Sequence, residues 1–161
     1  METSYLLGKT IQNIFTYPLK KPGPAWQNEL TTSLCTDMVF LELSDGVLVG
    51  VEPCEVSIDG ERYPALGLAL ELCERNATRL PQSDGQVIDI VSLNEAAPIL
   101  PLKVIGISES DPMGEGAISQ IRIEGVALSG ITIRHIMPPI TLGIIVESAP
   151  VGWVEARNPS Y

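Results

Sequence analysis

The sequence contains only one histidine, His135, and this scarcity limits the catalysis that it can support. A serine or cysteine hydrolase needs a nucleophile and a base, and His135 is the only imidazole that could be the base. Alternation places His135 with Ile131 and Ile133, on the strand face expected to be buried. A hydrogen-bonded structural histidine is therefore favoured, and a pairing with a cysteine stays open.

Clustered metal ligands and a glycine-rich phosphate loop are also missing. The three cysteines, Cys35, Cys54 and Cys73, include no C-x-x-C pair, so neither a zinc site nor a redox pair is indicated. No glycine precedes a lysine in the strand-to-helix context of a phosphate loop. Twenty Asp and Glu leave paired-carboxylate chemistry open without pointing to a pair. We predict a non-enzymatic protein with no catalytic residue, no metal and no cofactor.

Basic residues are few, with 10 Lys and Arg against 20 Asp and Glu and a formal net charge of −10. Non-specific nucleic-acid binding and attraction to anionic membranes both need Lys and Arg, so neither is expected. Apolar runs such as 140–146 are too short to span a bilayer. The first residues lack the basic and apolar regions of a secretory signal, which predicts a cytoplasmic protein.

Turn-forming residues are frequent, and no convincing long amphipathic helix is present. This pattern predicts a mainly β fold, with antiparallel sheets in a sandwich or half-open barrel and little helix, in a single domain over residues 1–161. Residues 6–17 fit a strand or a short helix, residues 26–37 a short helix or irregular structure, and residues 18–24 and 76–85 loops. The later predicted strands are Ala65–Leu72, Val87–Ser92, Leu102–Ser108, Ile118–Glu124, Val126–His135 and Ile140–Glu147.

A β-hairpin around Ser44-Asp-Gly46 is the clearest element. A two-residue loop would pair Leu41 with Gly50, whereas a three-residue loop with Gly46 in the left-handed conformation pairs Leu41 with Val49 and Val39 with Val51. The second register places one apolar face in the core, so we predict it.

The window from Pro22 to Glu61 has eight acidic residues and no Lys or Arg. In the predicted hairpin, the outward face combines apolar with acidic side chains, as a surface for a basic protein partner would. The alternative is that a second layer covers the apolar groups. The predicted partner-binding residues are Phe40, Glu42, Leu48, Glu52, Glu55 and Asp59.

Two stretches, Leu6-Leu-Gly-Lys-Thr-Ile11 and Val39-Phe-Leu-Glu-Leu-Ser-Asp-Gly-Val-Leu-Val49, resemble small bacterial immunity proteins. Such proteins neutralise the toxins of interbacterial competition systems. The resemblance implies tight binding of one toxin domain without catalysis, and it transfers no individual functional residue. A structural or assembly subunit that self-associates through sheet edges is the alternative.

Overall fold

The computed structural model describes residues 1–20, 34–136 and 141–148, and it is mainly β with antiparallel sheets. Within these ranges, the helical elements are the short 3₁₀ helices Thr3–Leu6, Arg75–Thr78 and Asn94–Ile99. The predicted mainly β, sandwich-like fold is therefore confirmed. The segment 6–17, which the sequence left ambiguous, contains a strand over Thr10–Thr16.

The described strands form two large antiparallel sheets and a small hairpin. Sheet A consists of β1 (Thr10–Thr16), β3 (Val39–Leu43), β4 (Leu48–Val56), β5 (Ala65–Cys73), β8 (Val91–Ser92) and β9 (Leu102–Lys103). Sheet B consists of β2 (Leu34–Thr36), β10 (Gly106–Ser110), β11 (Gln120–Glu124), β12 (Gly130–Ile136) and β13 (Thr141–Glu147). The strand order is β5-β4-β3-β1-β8 in sheet A, with β9 also beside β1, and β10-β11-β12-β13-β2 in sheet B. The small hairpin pairs β6 (Leu80–Pro81) with β7 (Val87–Ile88).

Strand β1 is the point at which distant parts of the chain meet in sheet A. It pairs with β3 along one side. On its other side, Thr16 pairs with Val91 of β8 and Ile11 with Leu102 of β9. Two segments that follow the first hairpin by many residues therefore complete the sheet.

The main core lies between the two sheets. Apolar side chains from alternate positions of both sheets meet there, because successive residues of a strand point to opposite faces. Its fully buried members include Ile14, Leu41 and Val49 of sheet A and Ile123 and Ile133 of sheet B.

Three predicted strands are wrong in their extent. The predicted strand Leu102–Ser108 is two strands in different sheets, because the Val104 N–H donates to Lys9 beside β1 while the Ile105 N–H donates to Glu124 at the end of β11. Val126–His135 becomes a strand only at Gly130, because residues 126–129 form a tight turn with Ala127 and Leu128 at φ of 56° and 59°. Val87–Ser92 divides into β7 and β8.

The first hairpin has the predicted three-residue loop. Leu41 pairs with Val49 and Val39 with Val51, and the Leu43 N–H donates to the Val47 carbonyl oxygen at 2.8 Å. Gly46 has a φ of 85°, as the predicted bulge requires. The core-facing residues are buried, except that Val47 at the end of the hairpin is only half-buried.

Substitution of Gly46 by valine is expected to lower the free energy of unfolding by about 2 kcal/mol, because a β-branched residue is strained at positive φ. A Cβ atom at this position would meet no other atom within 4 Å, so conformational strain is the only cost. Urea denaturation measures the loss. Gly46→Asn is the control, because asparagine tolerates this conformation, and equal losses for both variants would contradict the explanation.

Pro53 separates β4 from β3 and leaves β4 and β5 to continue as a two-stranded ribbon. The β3–β4 ladder ends at the pair Val39–Val51, and Pro53 holds the next position whose backbone would face β3. Because proline has no N–H, that ladder cannot continue. The β4–β5 pairing runs on to Val56 and Ala65, so the ribbon extends beyond β3.

Residues 74–90, here called the covering segment, lie over the outer face of sheet A. The segment leaves β5 at one edge of the sheet and returns to β8 at the other. Its Ile88 and Ile90 pack against a second apolar cluster whose buried members are Tyr17, Phe40 and Leu48. Sheet A is therefore buried on both faces in this region.

Candidate functional site

Phe40 and Leu48 are not on the surface, and their predicted exposure is wrong. Phe40 retains 2% of its exposure and Leu48 retains 4%, because the covering segment packs over them. Tyr17 meets Phe40 edge to face, with ring centroids 5.5 Å apart. Neither predicted apolar anchor is available to a partner in this conformation.

A tyrosine hydroxyl ties the covering segment to this cluster. The Tyr17 O–H donates to the Thr78 carbonyl oxygen at 2.8 Å, and both residues are buried. Burial raises the pKa of Tyr17, with further contributions from Cys73, Asp89 and Asp37. The hydroxyl therefore remains a donor through the neutral range, which keeps this bond in place.

Glu42 lies on the same outer face, and its charge is already engaged. Its carboxylate forms an ion pair with Arg75 of the covering segment and accepts a hydrogen bond from the Asn13 side chain at 2.5 Å. The Arg75 guanidinium also lies 4.9 Å from the centroid of the Phe15 ring. Glu42 therefore serves to hold the covering segment, which makes it a poor contact for a partner.

The remaining predicted acids lie along the β4–β5 ribbon and its turn. Glu52 of β4 is half-buried, and the ladder places it diagonally from the exposed Glu71 of β5 on the outer face. Glu55 is exposed on the opposite face of the ribbon, and Asp59 is exposed in the turn that joins the two strands. The structure thus keeps Glu52, Glu55 and Asp59 on one projecting element and adds Glu71, which lies outside the acidic window of the sequence.

The turn of the ribbon also presents an exposed aromatic side chain, Tyr63. Its exposed fraction is 73%, and the Arg62 guanidinium lies 5.6 Å from its ring centroid. Glu55, Glu61, Arg62 and Tyr63 line one depression of about 270 Å³. No periodic pattern in the sequence marks Tyr63, although its position after the turn residues Asp59-Gly-Glu-Arg is compatible with exposure.

No ion pair joins an acidic side chain of the ribbon to a cation among the described residues, although Arg62 lies in the turn of the ribbon itself. Glu52, Glu55, Asp59, Glu61 and Glu71 are absent from the ion pairs of the described chain. Those ion pairs join Lys9 to Asp45, Lys20 to Asp37, Arg75 to Glu42, Arg79 to Asp89, and Arg122 to Glu124 and Glu147. Five carboxylates without an ion pair therefore lie on this one element, whereas six of the acids elsewhere in the described chain are paired.

The thiols on the ribbon are poor nucleophiles. Burial raises the pKa of Cys54, and the neighbouring Glu52 raises it further. Burial also raises the pKa of Cys73, where Glu71 and Glu52 add to the increase and a hydrogen bond with the Gly50 backbone opposes it. Because the thiolate is the reactive form, both groups are largely inert at neutral pH.

His135 is buried, as its strand position predicts, with 1% of its surface exposed. Its Nδ1 lies 2.9 Å from the Gly67 carbonyl oxygen. Since a carbonyl only accepts, Nδ1 carries the hydrogen and donates it. The contact joins β12 of sheet B to β5 of sheet A, which gives the histidine a structural role.

Within residues 1–20, 34–136 and 141–148, no group of three or more His, Cys, Asp or Glu side chains is arranged to hold a metal ion. The described part of the chain also has no helix with the length and apolar character needed to cross a membrane. No protein family, curated protein or solved structure matches the chain.

Proposed function

We propose that this protein binds a basic protein partner in the cytoplasm without catalysing a reaction, as an immunity protein that neutralises a toxin domain. The observation that supports the proposal best is the unneutralised charge of the β4–β5 ribbon. Its exposed carboxylates project on an element that extends beyond β3, with no ion pair among the described residues.

The charge distribution suits rapid capture of a basic surface. Oppositely charged surfaces steer the encounter of two proteins and raise the association rate, and salt weakens that effect. In the described chain, Asp89 of the covering segment and Glu124 and Glu147 of sheet B are paired with Arg, whereas Asp84 and Glu109 are not. The ribbon is distinguished by the number of unpaired acids that it carries on one element.

Tyr63 supplies the apolar contact that Phe40 and Leu48 cannot make. Tyrosine is enriched among the residues that dominate binding energy, because it buries a large rigid surface and keeps a polar group. At the turn of the ribbon it lies between Asp59 and Glu61 on one side and β5 on the other, and it is mostly exposed. A partner that approaches the acidic turn therefore meets Tyr63 as well.

Reversal of charge at Glu55 and Asp59 to lysine is expected to slow association with the toxin about tenfold at low salt and to flatten its salt dependence. The probe is the protein encoded by the gene immediately upstream, and stopped-flow fluorescence measures the association rate at several salt concentrations. Tyr63→Ala in the same experiment is expected to act mainly on the dissociation rate, because apolar contacts form after the encounter.

The matched control reverses charge at Asp84 and Glu95, which are exposed acids outside the ribbon. It changes the net charge equally, so it is expected to affect association by less than about threefold. Equal slowing by both double variants would assign the effect to net charge alone. Absence of any complex with the upstream protein would contradict the immunity assignment.

The alternative function, a subunit that self-associates through sheet edges, is favoured by the position of β5 and β10 at sheet edges. Unpaired edges are templates for another strand. Light scattering separates the two functions, because an assembly subunit forms higher oligomers alone, whereas an immunity protein forms a complex of defined stoichiometry with its toxin.

A further inference from the structure

The outward edge of β5 is hydrogen-bonded along its first part, and open backbone groups remain only toward its end. Leu66 and Leu68 direct their N–H groups away from β4, to the Glu115 carboxylate at 2.9 Å and to the Ile118 carbonyl at 2.9 Å. The Leu70 carbonyl likewise accepts from the terminal ammonium group of Met1 at 3.0 Å. By the alternation of an antiparallel ladder, the N–H of Leu70 and both backbone groups of Leu72 face the same side.

Those backbone groups of Leu70 and Leu72 have no strand beside them in the described chain, where β5 is the last strand of sheet A. Natural edges are blunted by lysine, proline or a bulge. Neither Leu70–Cys73 nor its ladder with β4 has any of these, and the Leu72 side chain is 62% exposed. Among the described residues, no strand covers the end of β5, and Glu71 is the one charged side chain on it.

A groove of about 670 Å³ runs beside this edge. Its walls come from β5, from residues 1–4 and from β10 and β11 of sheet B. Glu2, Glu71 and Glu109 line it, and its lining contains no Lys or Arg. Glu109 accepts a hydrogen bond from the Thr3 hydroxyl at 2.5 Å, which fixes one carboxylate at the wall. The groove thus has three carboxylates against the one ammonium group of Met1, and Ile121 is among its apolar lining residues.

We infer that an extended, lysine- or arginine-bearing segment of the partner adds as a strand to the edge of β5 at Leu70–Cys73. This inference rests on the proposed function and specifies its binding mode. Backbone hydrogen bonds to Leu70 and Leu72 supply affinity, and the basic side chains reach Glu71 and Glu109. A second copy of this chain is disfavoured at the edge, because each copy has a net charge of −10 and places Glu71 there.

The experiment uses an eight-residue peptide of alternating lysine and valine, which is extended and basic. Nuclear magnetic resonance of labelled protein reports its affinity, and amide exchange reports protection at Leu70 and Leu72. We expect the peptide to shift and protect these two amides. We also expect a peptide of the same sequence with every backbone amide N-methylated to bind at least tenfold more weakly.

Leu72→Pro removes the outward N–H without removing a bond to β4, because residue 72 faces away from β4. Leu72→Ala is the matched control, since it removes the side chain but keeps the N–H. Leu72→Pro is expected to bind the peptide at least tenfold more weakly than Leu72→Ala. If the proline variant does not fold, the N-methylated peptide with the unchanged protein decides the question.

Equal affinity of both Leu72 variants, or of both peptides, would overturn strand addition. A dimer in sedimentation with the Leu72 amide protected in the absence of peptide would overturn it too, since a second copy would then hold the edge. If the strand test fails while charge reversal at Glu55 and Asp59 still slows toxin association, the proposed function stands without this mode. If the peptide binds at Leu70 and Leu72 as expected but the toxin does not bind, the edge of β5 binds basic strands and the proposed immunity function is wrong.

Discussion

Replacement of Phe40 by alanine is expected to lower the free energy of unfolding by about 3–5 kcal/mol, the range for removal of a fully buried phenylalanine. Phe40 is 2% exposed between sheet A and the covering segment, and its ring meets Tyr17 edge to face. Truncation leaves a cavity and removes the ring contact between Phe40 and Tyr17. That contact supports Tyr17, whose hydroxyl donates a hydrogen bond to the Thr78 carbonyl oxygen. Urea denaturation followed by circular dichroism measures the loss.

Phe40→Leu is the control for this prediction, because leucine keeps most of the apolar volume and is expected to cost less than half as much as alanine. Hydrogen exchange provides a second measurement. Phe40→Ala should accelerate exchange of the amides in the covering segment more than it accelerates exchange of the amides in β12. A loss below about 1 kcal/mol for Phe40→Ala would show that Phe40 is exposed in solution, and the predicted partner contact at that residue would then need to be reconsidered.

Substitution of Gly125 by alanine is expected to cost about 3 kcal/mol through overpacking. A Cβ atom there would lie 2.1 Å from Cδ1 and 3.1 Å from Cγ of Leu102, far closer than atoms pack. Leu102 is 1% exposed, so its side chain has no free space into which it can move. Thermal or urea unfolding measures the change.

A double-mutant cycle identifies the cause of that loss. In the background of Leu102→Ala, the clashing Leu102 atoms are absent and only the Ser129 Oγ, at 2.8 Å, remains too close to the added Cβ, so Gly125→Ala is expected to cost less than half as much as in the unchanged protein. If the glycine substitution is equally costly in both backgrounds, the loss arises from the backbone conformation at Gly125 and the packing explanation fails.

The first hairpin could be predicted in detail because two independent signals agreed. Leu41, Leu43, Val47 and Val49 are the alternate, apolar positions of the two strands, so they are expected on one buried face. Gly46 permits the turn that brings these positions opposite one another. Where apolar character was the only indication and no turn residue marked a boundary, the predicted ends of the strands were wrong. The run Leu102–Ser108 is uniformly compatible with a strand, and nothing local marks the crossing between sheets at Val104 and Ile105.

The candidate site was harder to predict because exposure depends on packing across the chain. Alternation assigns Phe40 and Leu48 to the face opposite the core, but it does not say whether another layer covers that face. Their apolar character was itself a sign of a second buried face. The layer comes from residues 74–90, for which the sequence predicts the loop 76–85 followed by the strand Val87–Ser92, and the contact is made by Ile88 and Ile90.

The positions of the acidic residues were partly predictable, because charged side chains remain at the protein surface. Glu52, Glu55 and Asp59 stay on one element, whereas Glu42 is neutralised by Arg75, a residue distant in sequence. Glu71 joins Glu52 only through the β4–β5 ladder, so a search for consecutive acidic residues could not find it.

The position of β1 in sheet A has a consequence for how the chain folds. Strands β10 to β13 pair with their neighbours in the sequence, so their contacts close short loops. The second side of β1 pairs with β8 and β9, and β2 pairs with β13, so these contacts close much longer loops. Because closing long loops is entropically costly, the pairing of these distant strands is the slow step. Until it is complete, β1 offers an open edge with Ile11 and Ile14 unburied, so the emerging chain is most exposed to aggregation in that interval.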